Sequence, residues 1–166
     1  EIDSSRVRHV CAKNIGFEWN HNISISEKYC ITSSDTSTTL NNPSIENYYG
    51  RSVALWVSSG KRATEIRCSV FSDSIWSLPQ TIISSDSGSV EYVHFTYDDF
   101  KLEHQSEKKN YLIYAAGKTI YQASIDSNFN WSASLPICRV ENEINSLNIQ
   151  KNTNGDIWLL FDEKIS

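Results

Sequence analysis

Three tryptophans divide the chain into similar units of about 55 residues. Trp19, Trp76 and Trp131 lie 57 and 55 residues apart, and a turn-like octet ends at each of them. Short strand-like segments, rich in β-branched and aromatic residues, fill the stretches between the octets. A repeat of this length, made of short strands, is typical of stacked all-β units and above all of the blades of a β-propeller.

Each unit reads as four consecutive strands. In the first complete unit the segments are 44–49, 52–57, 64–71 and 76–83, and in the next they are 90–96, 111–115, 119–125 and 131–137. The second segment of the first unit contains the apolar run 53–57, as expected for a strand that is buried on both faces. The sequence therefore predicts sheets of four antiparallel strands, with one sheet to a repeat.

The two ends of the chain divide a further unit between them. Segments 146–150 and 157–161 match the first two strands of a unit, and residues 5–25 match the last two. We therefore expect the N- and C-terminal strands to share one blade, with residues 5–25 paired against 146–161, since this removes free sheet edges. The prediction is an all-β protein of about three propeller blades, a single β-propeller unit over residues 1–166 that is a half-propeller or a propeller fragment.

The composition excludes several classes of partner. The 166 residues carry a net charge of −5 and their Lys and Arg residues are scattered, so the sequence lacks the basic surface that nucleic acid requires. The longest apolar run, 53–57, is far shorter than the roughly 20 residues that cross a bilayer. No apolar signal-like segment is visible near residue 1. The sequence thus predicts a soluble protein that binds no nucleic acid and does not insert into a membrane, and it leaves the compartment open.

Four cysteines would allow two disulfides, but their positions favour another interpretation. Cys11 and Cys68 both lie eight residues before a repeat tryptophan, which places them at equivalent points of different units, where they would not meet. We expect both to be buried and to pack as small apolar side chains. No Cys-x-x-Cys pair occurs and the four histidines lie in unrelated segments, so the sequence predicts neither a metal site nor a cofactor.

The octets before the tryptophans resemble the Asp-box, Ser-x-Asp-x-Gly-x-x-Trp, of the BNR repeats in sialidase-like propellers. Ser124, Asp126 and Trp131 match this pattern at its spacing, with Asn128 at the glycine position. The other two copies match it in part, through Asn14, Gly16 and Trp19 and through Ser69 and Trp76. The resemblance implies that Asp or Asn caps the turn, that Gly or Asn takes a left-handed conformation, and that the tryptophan packs between strands.

In the sialidase-like family the Asp-box is structural and lies on the face opposite the active site, so the resemblance assigns these residues to the fold. Catalysis in that family requires an arginine triad, a tyrosine activated by a glutamate and an acid/base aspartate. The Phe/Tyr-Arg-Ile-Pro motif is absent, and no arginine lies where the family's motif would place it. No phosphate-binding loop, nucleophile elbow or His-Glu-x-x-His helix is present either. We identify no catalytic residue and favour a protein that is not an enzyme.

One connection is longer than the fold requires. Segment 97–109 takes the place of connections of three and five residues in the other units, and long loops on a rigid scaffold often carry recognition. By strand order it lies on the Asp-box face, near the turn at 49–51. Together these segments predict a binding patch made of Tyr48, Tyr49, Arg51, Tyr97, Asp98, Asp99 and Phe100. The alternative is a solvated insertion without a role.

Two classes of function remain open. The first is a non-catalytic binding module, a rigid propeller platform for protein recognition, with a glycan-binding, lectin-like propeller as its variant. The second is a fragment of a sialidase-like glycoside hydrolase whose catalytic residues lie on other blades. Three blades cannot close a ring, so we expect either a homodimer that completes a six-bladed ring or a piece of a longer propeller. The expected ligand is a protein or a glycan.

Overall fold

The computed structural model describes residues 9–12, 15–17, 23–25, 28–33, 38–85, 90–97, 110–151 and 157–164. These residues form strands joined by turns, and none of them belongs to a helix that could span a membrane. The strands are β1 (His9–Ala12), β2 (Ile15–Phe17), β3 (Ile23–Ile25), β4 (Tyr29–Ser33), β5 (Thr39–Tyr48), β6 (Arg51–Ser59), β7 (Thr64–Ser72), β8 (Ile75–Trp76), β9 (Gln80–Ser85), β10 (Val90–Tyr97), β11 (Asn110–Ala116), β12 (Thr119–Ile125), β13 (Leu135–Arg139), β14 (Ile144–Lys151) and β15 (Ile157–Glu163). The predicted all-β class is confirmed for this part of the chain.

Two antiparallel sheets form the centre of the fold. The first contains β5, β6 and β7 in that order, with β8 and β9 both paired to β7. The second contains β10, β11, β12 and β13 in order. Each complete sequence unit therefore forms one sheet. The turn from β5 to β6 consists of Tyr49 and Gly50, whose φ angles of 47° and 77° match the twist of the two strands it joins.

A long hairpin with the same irregularity occurs three times. In the first sheet β7 pairs with β9 and then with β8, and in the second β12 pairs with β13 and then meets Trp131 through Ile125. In the N-terminal copy β1 pairs with β4, and β2 pairs with β3. Each hairpin loses register at a bulge, which lies at Val10/Cys11, Ile66/Arg67 and Ile120/Tyr121. The sequence repeat is therefore also a repeat of backbone geometry.

Strand β6 is buried on both faces because a neighbour packs on each side of it. Val53 and Leu55 belong to a core shared with the second sheet. Ala54 and Trp56, which alternate with them along the strand, belong to a core shared with β1. All four side chains are at most 1% exposed. The continuous apolar run read from the sequence thus serves two cores at once.

Strand β11 has the same arrangement in the second sheet. Leu112 and Tyr114 face the first sheet, while Ile113 and Ala115 face a core shared with β14. The described sheets therefore stack in chain order, with the β1–β4 pair at one end and the β14–β15 pair at the other. Each inner strand contributes alternate side chains to the cores on its two sides.

The two ends of the chain do not share a sheet in the part that the structure describes. β1 pairs with β4 and β14 pairs with β15, and among the described strands no ladder joins these pairs or closes the sheets into a ring. The expected pairing of residues 5–25 with 146–161 is therefore wrong for the described strands. β1 and β4 form one two-stranded sheet and β14 and β15 form another, because the pattern of a strand does not determine which strand pairs at its edge. Trp19, which we expected in the shared blade, lies outside the described residues.

Candidate binding site between two repeat turns

Asp126 caps the turn that leads from β12 to Trp131. Its Oδ1 atom accepts hydrogen bonds from the backbone N–H groups of Asn128 at 2.8 Å and Asn130 at 2.9 Å, and its Oδ2 atom accepts one from the Asn130 side chain at 3.2 Å. These hydrogen bonds, those from Asn130 above all, lower the pKa of the Asp126 carboxyl because they favour its charged form. Asp126 thus holds the turn through an ionised side chain.

The corresponding turn of the first sheet is tighter. Ser72 pairs with Ile75, and the two residues between them, Asp73 and Ser74, have φ angles of 52° and 69°. This is the two-residue hairpin turn that suits the twist of paired strands. The carboxylate of Asp73 accepts a hydrogen bond from the hydroxyl of Ser72 at 3.0 Å. Two octets at equivalent places in the repeat therefore build turns of different length.

The serines directly after Trp76 and Trp131 close their two turns in the same way. Ser77 donates its N–H to the carbonyl of Val70 at 2.8 Å, and its hydroxyl accepts the Val70 N–H at 3.0 Å. Ser132 makes the same two hydrogen bonds with Ser124, at 2.8 and 2.9 Å. Neither serine is part of the octet pattern, although the dipeptide Trp-Ser occurs at both places in the sequence.

Trp76, Trp131 and Ser69, which match the Asp-box pattern, lie at the margin of the cores. Trp76 packs on the ring of Phe71, with the ring centroids 5.2 Å apart. Trp131 packs against the core between the two sheets. Ser69 is fully buried, and its hydroxyl donates a hydrogen bond to the carbonyl of Ser77 at 2.7 Å. These contacts stabilise the hairpins, with Ser69 fully buried and the two tryptophans partly buried.

The left-handed residue of the Asp126 turn is not the one that we expected. Asn128 stands at the glycine position of the Asp-box, but Phe129 is the residue with positive φ, at 65°. A bulky residue rarely adopts this conformation, so its neighbours must hold it there. The left-handed position therefore lies one residue later than the octet pattern implies.

The N-terminal octet is described only in part. Gly16 lies within β2, opposite Ser24, and is therefore a strand residue rather than a turn residue. Asn14 and Trp19, the other two matches of this copy, lie outside the described residues.

Two residues of the first sheet hold the ring of Phe129. Tyr49 meets the ring edge-on with the centroids 6.2 Å apart, and the guanidinium carbon of Arg51 lies 5.1 Å from the ring centroid. The hydroxyl of Tyr49 also donates a hydrogen bond to the carbonyl of Ile125 at 3.4 Å. The β5–β6 turn is thus fixed against the Asp126 turn of the next sheet by an aromatic contact and a cation–π contact.

A cleft of about 360 Å³ lies between these turns. Arg51 gives it a positive charge, Asp73 a negative charge, and Phe129 an aromatic wall. The full lining comprises Arg51, Val70, Ser72, Asp73, Ile75, Ser77 and Gln80 from the first sheet and Asn128, Phe129 and Asn130 from the second. Seven of these ten residues are polar or charged, so the cleft is more polar than the usual small-molecule site and offers many hydrogen-bonding groups.

Tyr48 does not contribute to this surface. Its side chain is 1% exposed and lies in the core between the two sheets. Burial, with a smaller effect from the charge of Glu46, raises the pKa of the Tyr48 hydroxyl far above its ordinary value. The expectation that Tyr48 forms part of an exposed patch is therefore wrong, because the last position of β5 faces inward while the turn residue Tyr49 faces outward.

The long connection begins and ends beside the Asp126 turn. Tyr97 pairs with Asn110 in the β10–β11 ladder, and Asn110 pairs with Ile125, the residue before Asp126. The structure therefore brings the ends of this connection to the same end of the second sheet as the cleft. Asp98, Asp99 and Phe100 lie outside the described residues.

The cysteines expected at equivalent positions have different surroundings. Cys68 is 1% exposed, and burial raises the pKa of its thiol while a hydrogen bond from Trp131 opposes the rise. Cys11 is only partly buried and faces Cys30 across the β1–β4 ladder, so the prediction of a buried Cys11 is wrong. The bulge at Val10/Cys11 places Cys11 at the position that Arg67 holds in the first sheet. Among the described residues, no group of three or more His, Cys, Asp or Glu side chains is arranged to hold a metal ion.

Comparison of this chain with protein-family profiles, with curated proteins and with solved structures finds no match.

Proposed function

We propose that this chain is a non-catalytic binding module, and that the cleft between its β5–β6 turn and its Asp126 turn docks a short segment of a protein partner. The observation that carries the proposal is the contact of Arg51 with Phe129, which holds an exposed cationic side chain at a fixed place in the cleft wall. A side chain that is already ordered loses little conformational entropy on binding. Arg and aromatic residues are also enriched among those that dominate protein–protein affinity.

We further propose that the stacked sheets are blades of a sialidase-like, BNR-type β-propeller. The three hairpins with equivalent bulges support this, as do the two turns closed by equivalent serines. Propeller blades pack face to face and bury their inner strands, which is how the two central sheets are arranged. On this proposal the cleft lies between adjacent blades, on the face that carries the Asp-box turns.

The polar groups of the cleft suit a peptide. The guanidinium of Arg51 can donate to a carboxylate or a carbonyl, and the carboxylate of Asp73 can accept from an N–H group or an ammonium group. Ile75 and Phe129 provide apolar surface between them. The cleft is small, so we expect a few partner side chains to enter it while the rest of the partner rests on the surrounding turns.

The same lining argues against glycoside hydrolysis at this place. Catalysis in the sialidase-like family requires an arginine triad, a tyrosine activated by a glutamate and an acid/base aspartate, whereas the described lining of the cleft has one arginine and neither tyrosine nor glutamate. Asp73 is the single carboxylate among the described residues that line the cleft. The sialidase-like hydrolase fragment therefore receives no support from the cleft, and the binding module is the better account of it.

A glycan is the second candidate ligand. The cleft combines the ring of Phe129 with the side-chain amides of Gln80, Asn128 and Asn130, which can both donate to and accept from sugar hydroxyls. Its volume of about 360 Å³ lies within the range of roughly 300–1,000 Å³ that is usual for small-ligand pockets. A lectin-like module would use this cleft in the same way, with a sugar in place of the partner's side chains.

A second copy of the chain is the partner that we propose for the ends of the stack. β15 stands where β6 and β11 stand in their units, but no third strand pairs with it among the described residues. Its side chains Trp158 and Leu160 are 65% and 72% exposed. β1 corresponds to β7 and β12, the third strands of the complete units. In the described part of the chain it pairs only with β4.

Pairing of β15 in each copy with β1 of the other would complete two further four-stranded sheets. Together with the two central sheets of each chain, these would make a six-bladed ring without open edges. Blades supplied by a longer chain are the other way to cover the same strands.

The binding proposal is tested with a random peptide library displayed on phage and with a glycan array, both probed with the purified protein. We expect selected peptides whose affinity falls at least about tenfold when Arg51→Ala replaces the wild type. Arg62→Ala, which removes an exposed arginine at the β6–β7 turn, is the matched control and should leave the affinity unchanged.

Glycans bound in place of peptides, with the same sensitivity to Arg51→Ala, would support the second candidate. Absence of any ligand, or ligands indifferent to Arg51→Ala, would overturn the assignment of the cleft. A fluorogenic sialoside is included as an activity control, and its cleavage by the wild type would contradict a non-catalytic module.

A further inference from the structure

Cys11 and Cys30 lie directly opposite each other on adjacent antiparallel strands. They are ladder partners between β1 and β4, and their Sγ atoms are 2.8 Å apart, within hydrogen-bonding distance. Cys30 is exposed and Cys11 is partly exposed, so both thiols are accessible to reagents in solution. This pair is independent of the cleft and of the function proposed for it.

Direct partners in an antiparallel ladder have the backbone separation that a disulfide needs. Their Cα atoms lie about 4.5–5.5 Å apart, and disulfides span Cα distances of about 4.4–6.8 Å. The contact between the two Sγ atoms shows that both side chains point to the same side of the ladder. Formation of a bond would therefore require a small change in side-chain torsion and no change of register.

We propose that Cys11 and Cys30 are a redox-active pair that forms a cross-strand disulfide by exchange with a small-molecule disulfide such as oxidised glutathione. The thiolate of Cys30 attacks one sulfur of the small disulfide, forms a mixed disulfide and releases one small thiol. The thiolate of Cys11 then attacks the Cys30 sulfur and releases the second small thiol. Two protein thiols are oxidised to one disulfide, one small disulfide is reduced to two thiols, and the two protons pass to the released thiolates.

The order of attack follows from the surroundings of the two thiols. Cys30 is the more exposed and meets the reagent first. Burial, together with the neighbouring Cys30, raises the pKa of the Cys11 thiol, which makes Cys11 the slower thiol towards an external reagent. Once the mixed disulfide has formed, Cys11 lies beside the sulfur that it must attack.

The bond would fasten one of the three two-stranded sheets among the described residues. β1 and β4 form a two-stranded sheet, whereas the equivalent hairpins of β7 and β12 belong to larger sheets. A two-stranded sheet is marginally stable unless something else holds it. In the equivalent ladder positions the other two copies carry Arg67 with Thr81 and Tyr121 with Pro136, so only the N-terminal copy has this staple.

The other two cysteines provide internal controls. Cys68 is fully buried and pairs with Leu55 and Gln80 in its ladders, and Cys138 pairs with Ile120. Neither has a cysteine as its ladder partner. Exchange should therefore consume Cys11 and Cys30 and leave Cys68 and Cys138 as thiols.

In the test, the whole chain is equilibrated with mixtures of oxidised and reduced glutathione and the exchange is stopped with acid. The remaining thiols are then labelled with a maleimide in denaturant. The reduced chain should take up four labels and the oxidised chain two, one for each cysteine outside the pair. Trypsin cleaves after Arg8, Lys13 and Lys28, so Cys11 and Cys30 fall on separate peptides. We expect these two peptides to appear as one linked species without reductant and to separate when it is added.

Variants separate the staple from a general effect of oxidation. Oxidation should raise the thermal midpoint of the wild type and of Cys138→Ser by several degrees, and it should have no effect on Cys11→Ser or Cys30→Ser. The proposal is overturned if the linked peptides involve Cys68 or Cys138, or if all four thiols survive in excess oxidised glutathione. It is also overturned if the label counts of Cys11→Ser show a disulfide between its remaining cysteines.

Discussion

The guanidinium of Arg51 lies over the ring of Phe129, with the Arg51 Cζ atom 5.1 Å from the ring centroid. The two residues belong to different repeat units, since Arg51 opens β6 and Phe129 lies in the turn after β12. The contact therefore fixes the turn of one sheet against the turn of the next. It also explains how an aromatic residue is held with a positive φ in an exposed turn.

This contact should be measurable as a coupling energy. In a double-mutant cycle of Arg51→Ala and Phe129→Ala, we expect the two effects on the free energy of unfolding to couple by about 0.5–1 kcal/mol. Urea denaturation of the four proteins gives the cycle. A second cycle, which combines Arg62→Ala with Phe129→Ala, is the control and should give additive effects. Additivity of Arg51→Ala with Phe129→Ala would show that the guanidinium does not hold the ring.

Ser77 and Ser132, which follow Trp76 and Trp131, should each contribute to stability. We expect Ser77→Ala and Ser132→Ala each to lower the free energy of unfolding by about 1 kcal/mol, because the N–H of Val70 or Ser124 loses its acceptor. Ser127→Ala, in the exposed part of the same turn as Ser132, should change it by less than about 0.5 kcal/mol. Urea denaturation distinguishes these cases, and equal losses for Ser127→Ala and Ser132→Ala would contradict the assignment.

Asp126 should make stability depend on pH in the acid range. Its pKa is lower in the folded protein than in the unfolded chain, so its ionised form stabilises the fold above the unfolded value near pH 4. That contribution is lost as the pH falls through the folded pKa. Wild type should therefore exceed Asp126→Asn in urea midpoint at neutral pH, and the difference should shrink at low pH.

Asp73→Asn, in the equivalent turn of the first sheet, is the matched control for the loss of a turn carboxylate. Its carboxylate accepts a hydrogen bond from the hydroxyl of Ser72, whereas that of Asp126 accepts two from backbone N–H groups. We expect the acid-range pH dependence of the urea midpoint to be reduced in Asp126→Asn. A difference between wild type and Asp126→Asn that stays constant from neutral to acid pH would contradict a role for its charge.

The fold class could be predicted because the side chains that recur in each repeat are the ones that strands and hairpin turns require. The apolar run 53–57 marks a strand with a core on each face, and the octets mark hairpin turns. The shared terminal blade could not be predicted in the same way, because the pattern of a strand fixes its faces but not its edge partner. Among the described strands, β1 and β15 have the expected strand character, but β1 pairs with β4 and β15 pairs with β14.

The candidate site was only partly accessible to sequence reasoning. Tyr49 and Arg51 were found because they lie in a turn on the Asp-box face, and they do lie at the cleft or beside it. Tyr48 was misplaced because a one-residue step along a strand reverses the direction of a side chain. Phe129 was missed because its role depends on a left-handed backbone at the position after the one that the octet pattern marks.

The open ends of the stack should govern the mass of the protein in solution. We expect light scattering to give a dimer of the 18.9 kDa chain, since a second copy can pair with β1 and β15 at once. Trp158→Asp together with Leu160→Asp should produce monomers, because a charge on this face opposes its burial. Leu78→Asp, at a residue 87% exposed on a different edge, is the control and should remain dimeric. A wild-type monomer at micromolar concentration would contradict the ring.

The most direct test of the binding module is a chemical-shift titration of the ¹⁵N-labelled protein with the tightest peptide selected on phage. The account predicts that the largest shifts fall on the backbone amides of Arg51, Gln80, Asn128 and Asn130, which line the cleft from both sheets. Amides of β15 and of the β6–β7 turn should move little. Shifts concentrated away from the cleft, with these four amides unmoved at saturation, would contradict the account.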